Sequence, residues 1–319
     1  MTEIKEKKAQ ENVQEVAIVG GGPAGLTASI YLSRYKVPHL IFATEVGGFM
    51  NETDKIENYP GFVSISGFEL SQKMGDHAKS FGAEIVPEQV EKIEKEGELF
   101  VLHTFQKNKV LAKNVIYAVG TISNKLGVTG EEEFKGRGVS YCATCDGPFF
   151  KNKEAVVVGG GNSAAVAVFI LAEHAKKVTL IHRGDLPTCE PSYIEDMKKN
   201  PKIHLIPNAN VVEIKGDERV KSVVLDREVD GSREYPTDGV FIEIGSGPNT
   251  APIKELKVEL NEKGYVKVKA DQSTSVENLY AVGDISTNSN GFRQIITACA
   301  EGAVAAITIF EKKRRSAKK

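Results

Sequence analysis

Short apolar runs, each closed by glycines or polar residues, recur along the chain. Val16-Ala17-Ile18-Val19 is uniformly apolar, the pattern of a strand buried on both faces. Ala24 to Tyr35 then reads as a helix, stopped near Pro38, and Leu40-Ile41-Phe42 as the next strand. The same order returns later: Glu154 to Val158 as strand, Ser163 to His174 as helix, Lys177 to Ile181 as strand. Elsewhere the pattern predicts a helix over Ser71 to Phe81 and a strand over Val110 to Ala118. Leu279 to Val282 reads as a further strand, and Gly291 to Phe310 as a loop plus helix. Val240 to Gly245 closes the second repeat. Strands alternating with helices predict an α/β fold with parallel sheets.

Glycines stand at both strand-to-helix turns. The first turn is Gly20-Gly21-Gly22-Pro23-Ala24-Gly25 and the second is Gly159-Gly160-Gly161-Asn162-Ser163-Ala164. In this context the spacing is a Rossmann fingerprint. Gly20 allows the tight turn, Gly22 leaves room for a pyrophosphate, and Gly25 lets helix pack on strand. The helix N-terminus supplies N–H groups and a positive dipole end for phosphate. The expectation is two Rossmann-like, three-layer (ββα) nucleotide-binding domains, the second inserted in the first. Residues 1–120 and 249–319 form one, and 121–248 the other.

In sequence, Cys142-Ala143-Thr144-Cys145-Asp146-Gly147 lies between the two glycine turns. Two cysteines at this spacing can close a small disulfide ring, with one thiolate attacking and the other resolving. A zinc site would call for further ligands, but Cys189 and Cys299 are isolated and no histidine pair has metal spacing. No metal is expected. Cys299 reads as a core residue and Cys189 as an incidental loop thiol. A flavin held by one glycine turn and a nicotinamide held by the other would make the chain a dithiol–disulfide oxidoreductase.

The chain has 319 residues, 41% hydrophobic and 26% charged, with a net charge of −2. This balance points to neither nucleic acid nor membrane. No apolar run reaches the ~20 residues of a spanning helix. Met1 to Gln14 is charged and reads as a disordered lead-in, not a signal peptide. The expected location is cytoplasmic. The basic end, Lys312 to Lys319, reads as a solvated tail, with a docking arm for an acidic partner as the alternative.

Taken together, these motifs resemble the low-molecular-weight thioredoxin reductases, class II pyridine nucleotide–disulfide oxidoreductases. The resemblance runs from about Val16 to about Ile309. It rests on the first glycine turn, Glu57-Asn58-Tyr59-Pro60-Gly61, Phe134 to Tyr141 leading into the cysteines, and Gly159 to Ser163. Gly283-Asp284 and Arg293-Gln294-Ile295 complete it. It implies FAD along Gly20 to Gly25, with Gly48, Phe49, Asn58, Val90, Gly120, Gly283, Asp284, Arg293, Gln294 and Ile295 in contact. It implies a nicotinamide dinucleotide, NADPH in the family, at Gly159, Gly161, Asn162, Ser163 and Arg183. It also implies that Cys145 faces the flavin, that Cys142 attacks the partner, and that Asp146 moves a proton; by spacing alone, Asp146 is a turn residue. The implied partner is thioredoxin or a glutaredoxin-like dithiol protein, and the implied assembly a homodimer.

The chain departs from the family pattern in several places. Phe49 stands where Gln is usual, and Ser246 where a His is usual. The segment His182-Arg183-Gly184-Asp185-Leu186-Pro187-Thr188 keeps one arginine of a phosphate-binding cluster, since Gly184 and Thr188 occupy the other arginine positions. Guanidinium groups suit a 2′-phosphate because they bind it bidentately. NADPH, NADH and ferredoxin are therefore all open as donors. Glu45, just past the second strand, is a ribose candidate or an exposed loop carboxylate. Three rivals follow: an FAD dithiol oxidase passing electrons to oxygen, a non-enzymatic redox sensor, and, ranked last, a ferredoxin–NADP reductase.

Overall fold

The first strand, β1 (Val13–Val19), has side chains on both faces buried in the computed structural model, which describes residues 13–53 and 56–316. Val16 and Ile18 pack into one core and Ala17 and Val19 into another. That two-sided burial is the reason for the uninterrupted apolar run. The strand starts at Val13, earlier than the apolar run suggests and inside the expected lead-in; residues 1–12 lie outside the described residues.

The chain forms two compact units: unit 1, residues 1–122 and 248–319, and unit 2, residues 123–247. In unit 1, β1 is followed by α1 (Pro23–Arg34), β2 (His39–Phe42), α2 (Gly67–Ser80), β3 (Glu84–Val86), β4 (Val90–Glu96), β5 (Leu99–Thr104) and β6 (Lys109–Tyr117). Pro23 at the start of α1 costs no hydrogen bond, because the first N–H groups of a helix are unpaired anyway. In α2, the Ser66 hydroxyl accepts the Glu69 N–H, and Lys79 lies in the last turn, where a cation favours the helix dipole.

The chain enters unit 2 along β7 (Thr121–Ser123). There follow β8 (Val139–Ser140), α3 (Ala143–Asp146), β9 (Glu154–Val158), α4 (Asn162–His174), β10 (Lys177–Ile181), α5 (Pro191–Lys199) and β11 (Ile203–Ile206). The strands β12 (Val211–Gly216), β13 (Val220–Val229) and β14 (Ser232–Pro236) form an antiparallel sheet. Then come β15 (Gly239–Ile242) and β16 (Ser246–Pro248), which pairs with β7. The main sheet of unit 2 has the order β11-β10-β9-β15-β8, all parallel.

Back in unit 1, β17 (Leu279–Ala281) and α6 (Ile295–Ser316) finish the chain. The sheet runs β3-β2-β1-β6-β5-β4. Strand β17 lies parallel to the second half of β6, while β5 pairs antiparallel with the first half. Each main sheet thus reverses its order beside the strand that carries a glycine turn, the place where α/β folds bind ligands.

The basic end is not a tail as far as Ser316. Lys312, Lys313, Arg314 and Arg315 continue α6, and Ala317 to Lys319 fall outside the described residues. Lys312 Nζ donates to Glu277 and Asn278, both at 2.8 Å, and Lys313 pairs with Glu15 at 3.2 Å. Cations in the last turn also suit the helix dipole, so charge here extends the helix. Cys189 lies in the loop between β10 and α5, as expected, and its side chain is buried in the unit 2 core.

Candidate functional site

The glycines of the first turn separate into two kinds by what a Cβ would meet. At Gly20 (φ +116°) it would lie 2.2 Å from the Ala118 carbonyl oxygen, and at Gly25 it would lie 2.0 Å from the Gly20 oxygen. These two glycines let β1, β6 and α1 converge. At Gly22 the nearest atom would be the Gly47 oxygen at 3.9 Å, at Gly48 the Gly22 Cα at 3.8 Å, and at Gly120 nothing lies within 4 Å. The chain's own packing does not require a bare backbone at Gly22. What remains is an open cradle at the N-terminus of α1, where Gly22 caps the helix with no side-chain bond and no acid sits in the first turn. Uncapped N–H groups and room for a phosphate fit a dinucleotide.

Other expected residues of unit 1 gather around this turn. A Cβ on Gly283 would lie 3.1 Å from that of Ala24, which places the Gly283-Asp284 loop beside the start of α1. Burial, opposed by the Arg293 guanidinium, pushes the Asp284 carboxyl above its ordinary value. Arg293 stacks 3.9 Å from the Tyr265 ring centroid and donates from Nε to the Asp284 carbonyl oxygen at 3.3 Å. Asn58 Nδ2 donates to Gln294 Oε1 at 2.9 Å, joining two distant motifs. Ile295 opens α6. Phe49 is 39% exposed in a short 3₁₀ turn beside Gly48. Val90 is different: its side chain is in the core with Ala17, Val19 and Phe42, on the face of the sheet away from the α1 core.

Glu301 was not legible as a site residue, because it sits among alanines on an apolar helix. It is 5% exposed, and its carboxylate accepts the Gly283 N–H at 2.7 Å, the Ser286 hydroxyl at 3.0 Å and the Ser289 hydroxyl at 2.6 Å. It thereby ties the Asp284 loop to α6. The loop after β2 is pinned in a similar way. Gly47 N–H donates to the Gly21 oxygen at 2.8 Å, and Asn51 Nδ2 donates to both Glu45 and the Val46 carbonyl. Glu45 is thus engaged by Asn51 within its own loop.

Burial and the nearby Glu45 charge raise the Glu52 carboxyl to about 7. Its folded pKa exceeds the unfolded value of 4.5, so folding favours the protonated form. Stability is therefore expected to fall as pH rises from about 4.5 through about 7. Unfolding midpoints of wild type and Glu52→Gln should coincide near the lower limit and separate above the upper one, the variant being higher. Equal separation at both pH values would contradict this.

In unit 2, a Cβ on Gly159 would lie 2.2 Å from the Glu243 carbonyl oxygen, whereas at Gly161 nothing lies within 4 Å. The division between packing glycine and open glycine repeats that of unit 1. Asn162 and Ser163 are exposed at the start of α4, which Gly161 leaves without a side-chain cap. Asn162 Nδ2 donates to Glu190 at 3.1 Å, and Asn162 Oδ1 accepts the Glu190 N–H at 2.9 Å. Thr188 N–H donates to the Gly160 oxygen at 2.7 Å. This folds the segment after β10 over the glycine turn.

Arg183 is exposed on that segment, and Asp185 accepts from Asn208 Nδ2 at 2.9 Å. A Cβ at Gly184 would meet its nearest atom, the Leu186 oxygen, at an ordinary 3.5 Å, so the fold does not demand glycine there. His182 is 5% exposed and its Nδ1 has no hydrogen-bond partner among the described residues; burial pushes its pKa down, favouring the neutral ring. An orphaned ring nitrogen beside an open glycine turn fits a nucleotide that would supply the missing hydrogen bond.

The Cys142–Cys145 disulfide is formed, with Cα atoms 5.3 Å apart. β8 delivers the chain to the ring, pairing Ser140 with Phe241, and α3 carries Cys145 and Asp146. Gly147 lies against Ile170, Leu171 and His174 of α4, and Phe150 meets Phe241 edge-on at 4.9 Å. Cys145 is exposed and Cys142 half-buried, with the Cys145 N–H 3.1 Å from Cys142 Sγ. Asp146 is half-buried and its N–H donates to the Cys142 oxygen at 3.1 Å. A surface disulfide with a backbone donor aimed at one sulfur is suited to reversible opening, since that donor would stabilise a thiolate.

The chain is similar to known proteins over most of its length. The profile of a family described as pyridine nucleotide-disulphide oxidoreductase matches residues 14–302. A thioredoxin reductase of Bacillus subtilis (strain 168) is 42% identical over 304 residues, 94% of this chain and 95% of that protein. The crystal structure of Lactococcus lactis thioredoxin reductase in its FR conformation gives a TM-score of 0.85 at 36% identity, covering 93% of this chain and 98% of that one. The thioredoxin reductase of T. acidophilum gives 0.84 at 39% identity, covering 95% and 99%.

Proposed function

The chain belongs to the pyridine nucleotide-disulphide oxidoreductase family, and on that premise we propose that unit 1 holds FAD, that unit 2 has a nicotinamide-type site, and that the Cys142–Cys145 disulfide passes electrons to a thioredoxin-type protein. The enzyme is a thioredoxin-disulfide reductase of the flavoprotein kind. The observation that carries this is the formed Cys-x-x-Cys disulfide at the surface of a chain with two glycine turns of the same build.

Gly20 to Gly25, Gly48, Phe49, Asn58, Val90, Gly120, Gly283, Asp284 and Arg293 to Ile295 are the residues proposed to hold FAD. Bound FAD supplies two-electron chemistry for opening the disulfide. Gly22 and Gly48 leave space for the phosphates, and Glu301 keeps the Asp284 loop in place. Cys142, with the Cys145 N–H on its sulfur, is the proposed nucleophile toward the partner, Cys145 resolves the mixed disulfide, and Asp146 moves the proton. Homodimerisation and a cytoplasmic location are part of the same reading; no helix among the described residues is long and apolar enough to cross a membrane.

The donor is the finer question. Gly159, Gly161, Asn162, Ser163 and Arg183 are proposed to hold a nicotinamide dinucleotide, with His182 completing the site. A single arginine, with Gly184 beside it where a side chain has room, favours weak discrimination for the 2′-phosphate. The same depletion favours one second reading, a dithiol oxidase passing electrons to oxygen. Anaerobic titration of the purified yellow protein, read by flavin absorbance, decides. Bleaching by NADH at least as readily as by NADPH is expected. A strong preference for NADPH would show that Arg183 suffices. Bleaching by neither nucleotide, but by a dithiol, would move the assignment to ferredoxin or to the oxidase.

A further inference from the structure

Glu131 is a buried carboxylate close in sequence to the redox ring and outside the machinery described so far. It is 2% exposed, and it accepts the Tyr141 hydroxyl at 2.6 Å, the Leu126 N–H at 2.8 Å and the Gly127 N–H at 2.5 Å. Burial pushes its carboxyl up, but the bonds from Tyr141 and the backbone outweigh this and hold it below its ordinary value. Glu131 is thus an anion that the chain takes trouble to accommodate, and its one side-chain donor among these bonds is the residue directly before Cys142.

Tyr141 is fixed from several directions. Lys135 Nζ lies 5.7 Å from its ring centroid. Ser140, the residue before it, is held in β8 against Phe241, and the Ser140 hydroxyl oxygen accepts the Cys142 N–H at 3.1 Å. On the far side of the ring, Gly147 packs against α4. The segment entering the ring is therefore anchored by groups that do not depend on the S–S bond.

This matters when the ring opens. Opening breaks the S–S bond and takes up two electrons and two protons; closing returns them. Closure is favoured in proportion to how little freedom the two open cysteines have. We propose that Glu131 is a positioning residue for the Cys142–Cys145 couple. Through the Tyr141 hydroxyl it confines the open form, so the thiols stay near closing geometry and the dithiol is a stronger reductant. The proposal rests on the redox reading of the ring given above.

The test uses the purified protein with its cofactor, equilibrated anaerobically in dithiothreitol buffers of graded oxidised-to-reduced ratio. Each dithiothreitol that opens a ring gives up two electrons and two protons and closes to its own cyclic disulfide. Open rings are trapped by alkylation and counted at Cys142 and Cys145 by peptide mass. Tyr141→Phe removes only the hydroxyl and is expected to shift the equilibrium toward the dithiol by about tenfold, given the strength of bonds to charged groups. For a two-electron couple this is about 30 mV. Glu131→Gln should shift it the same way, and the double variant no further than Tyr141→Phe.

A purely structural role would lower the thermal midpoint and leave the equilibrium where it was. A Tyr141→Phe protein that closes at the wild-type ratio overturns the proposal, as do shifts that simply add in the double variant. Should Glu131→Gln fail to fold, Tyr141→Phe alone decides. A wild-type ring that never opens across the series would overturn the redox reading itself, and the proposal with it.

Discussion

Cys145→Ser is expected to reduce disulfide-reductase turnover by about a thousandfold or more, the scale seen when a nucleophilic group is removed from a site that acts as a unit. The reason is chemical. Two electrons are stored by breaking one S–S bond, and a serine at position 145 cannot form that bond. Cys142 remains, half-buried. It should still attack a partner disulfide, forming a mixed disulfide and freeing the partner's other thiol; no thiol at position 145 can then resolve it, and alkylating the freed partner thiol prevents reversal. The variant should therefore accumulate a covalent complex with the partner, visible without reductant on a gel, while Cys142→Ser should not. The fold should be little affected, because Cys145 is exposed and the segment is held by β8 and by Gly147 on α4. Full turnover by Cys145→Ser would end the assignment of this ring as the redox centre.

Gly25→Ala should cost about 3 kcal/mol or more of stability, the upper range for overpacking a core. Its new Cβ would stand 2.0 Å from the Gly20 oxygen and 3.2 Å from the Ile18 side chain, with backbone on the crowded side. Neither β1 nor α1 can yield, since both are buried against the sheet and α6. Gly22→Ala is the control three residues away. Its Cβ would meet nothing closer than 3.9 Å, so stability without cofactor should change by less than about 1 kcal/mol, in the range of an exposed Gly-to-Ala exchange. Flavin retention should nonetheless fall by about tenfold or more, because one methyl would occupy the space a pyrophosphate needs. Thermal unfolding of apoprotein and flavin content after gel filtration measure the two effects separately. Equal loss of stability in both variants would remove the distinction between packing glycine and ligand glycine.

Much of the fold was legible because burial writes itself into short-range pattern. The runs at Val16 to Val19 and Glu154 to Val158 had to be strands buried on both faces. Glycines directly after them had to be turns, since no other residue lets a strand, a helix and a neighbouring strand meet so closely. The Cys-x-x-Cys spacing likewise sufficed for a ring.

What sequence could not give depends on partners far along the chain. Nothing local marks Glu301 as the clamp on the Asp284 loop, or Glu131 as the anchor of Tyr141, because an exposed and a buried glutamate look alike until the fold supplies donors. Lys312 to Arg315 read as a tail in sequence, since a run of charge carries no apolar signal; they are exposed, but not a tail. Helix dipole and the carboxylates of Glu277 and Glu15 decided otherwise. Cys189 was buried by helices and strands that its own neighbours do not predict. The sequence by itself determined the elements, the two glycine turns and the redox pair, because these are set by contacts within a few residues. Only the tertiary structure decided which glycines leave space for a ligand and which carboxylates are buried and hydrogen-bonded, because those properties are distances between segments that the chain order keeps apart.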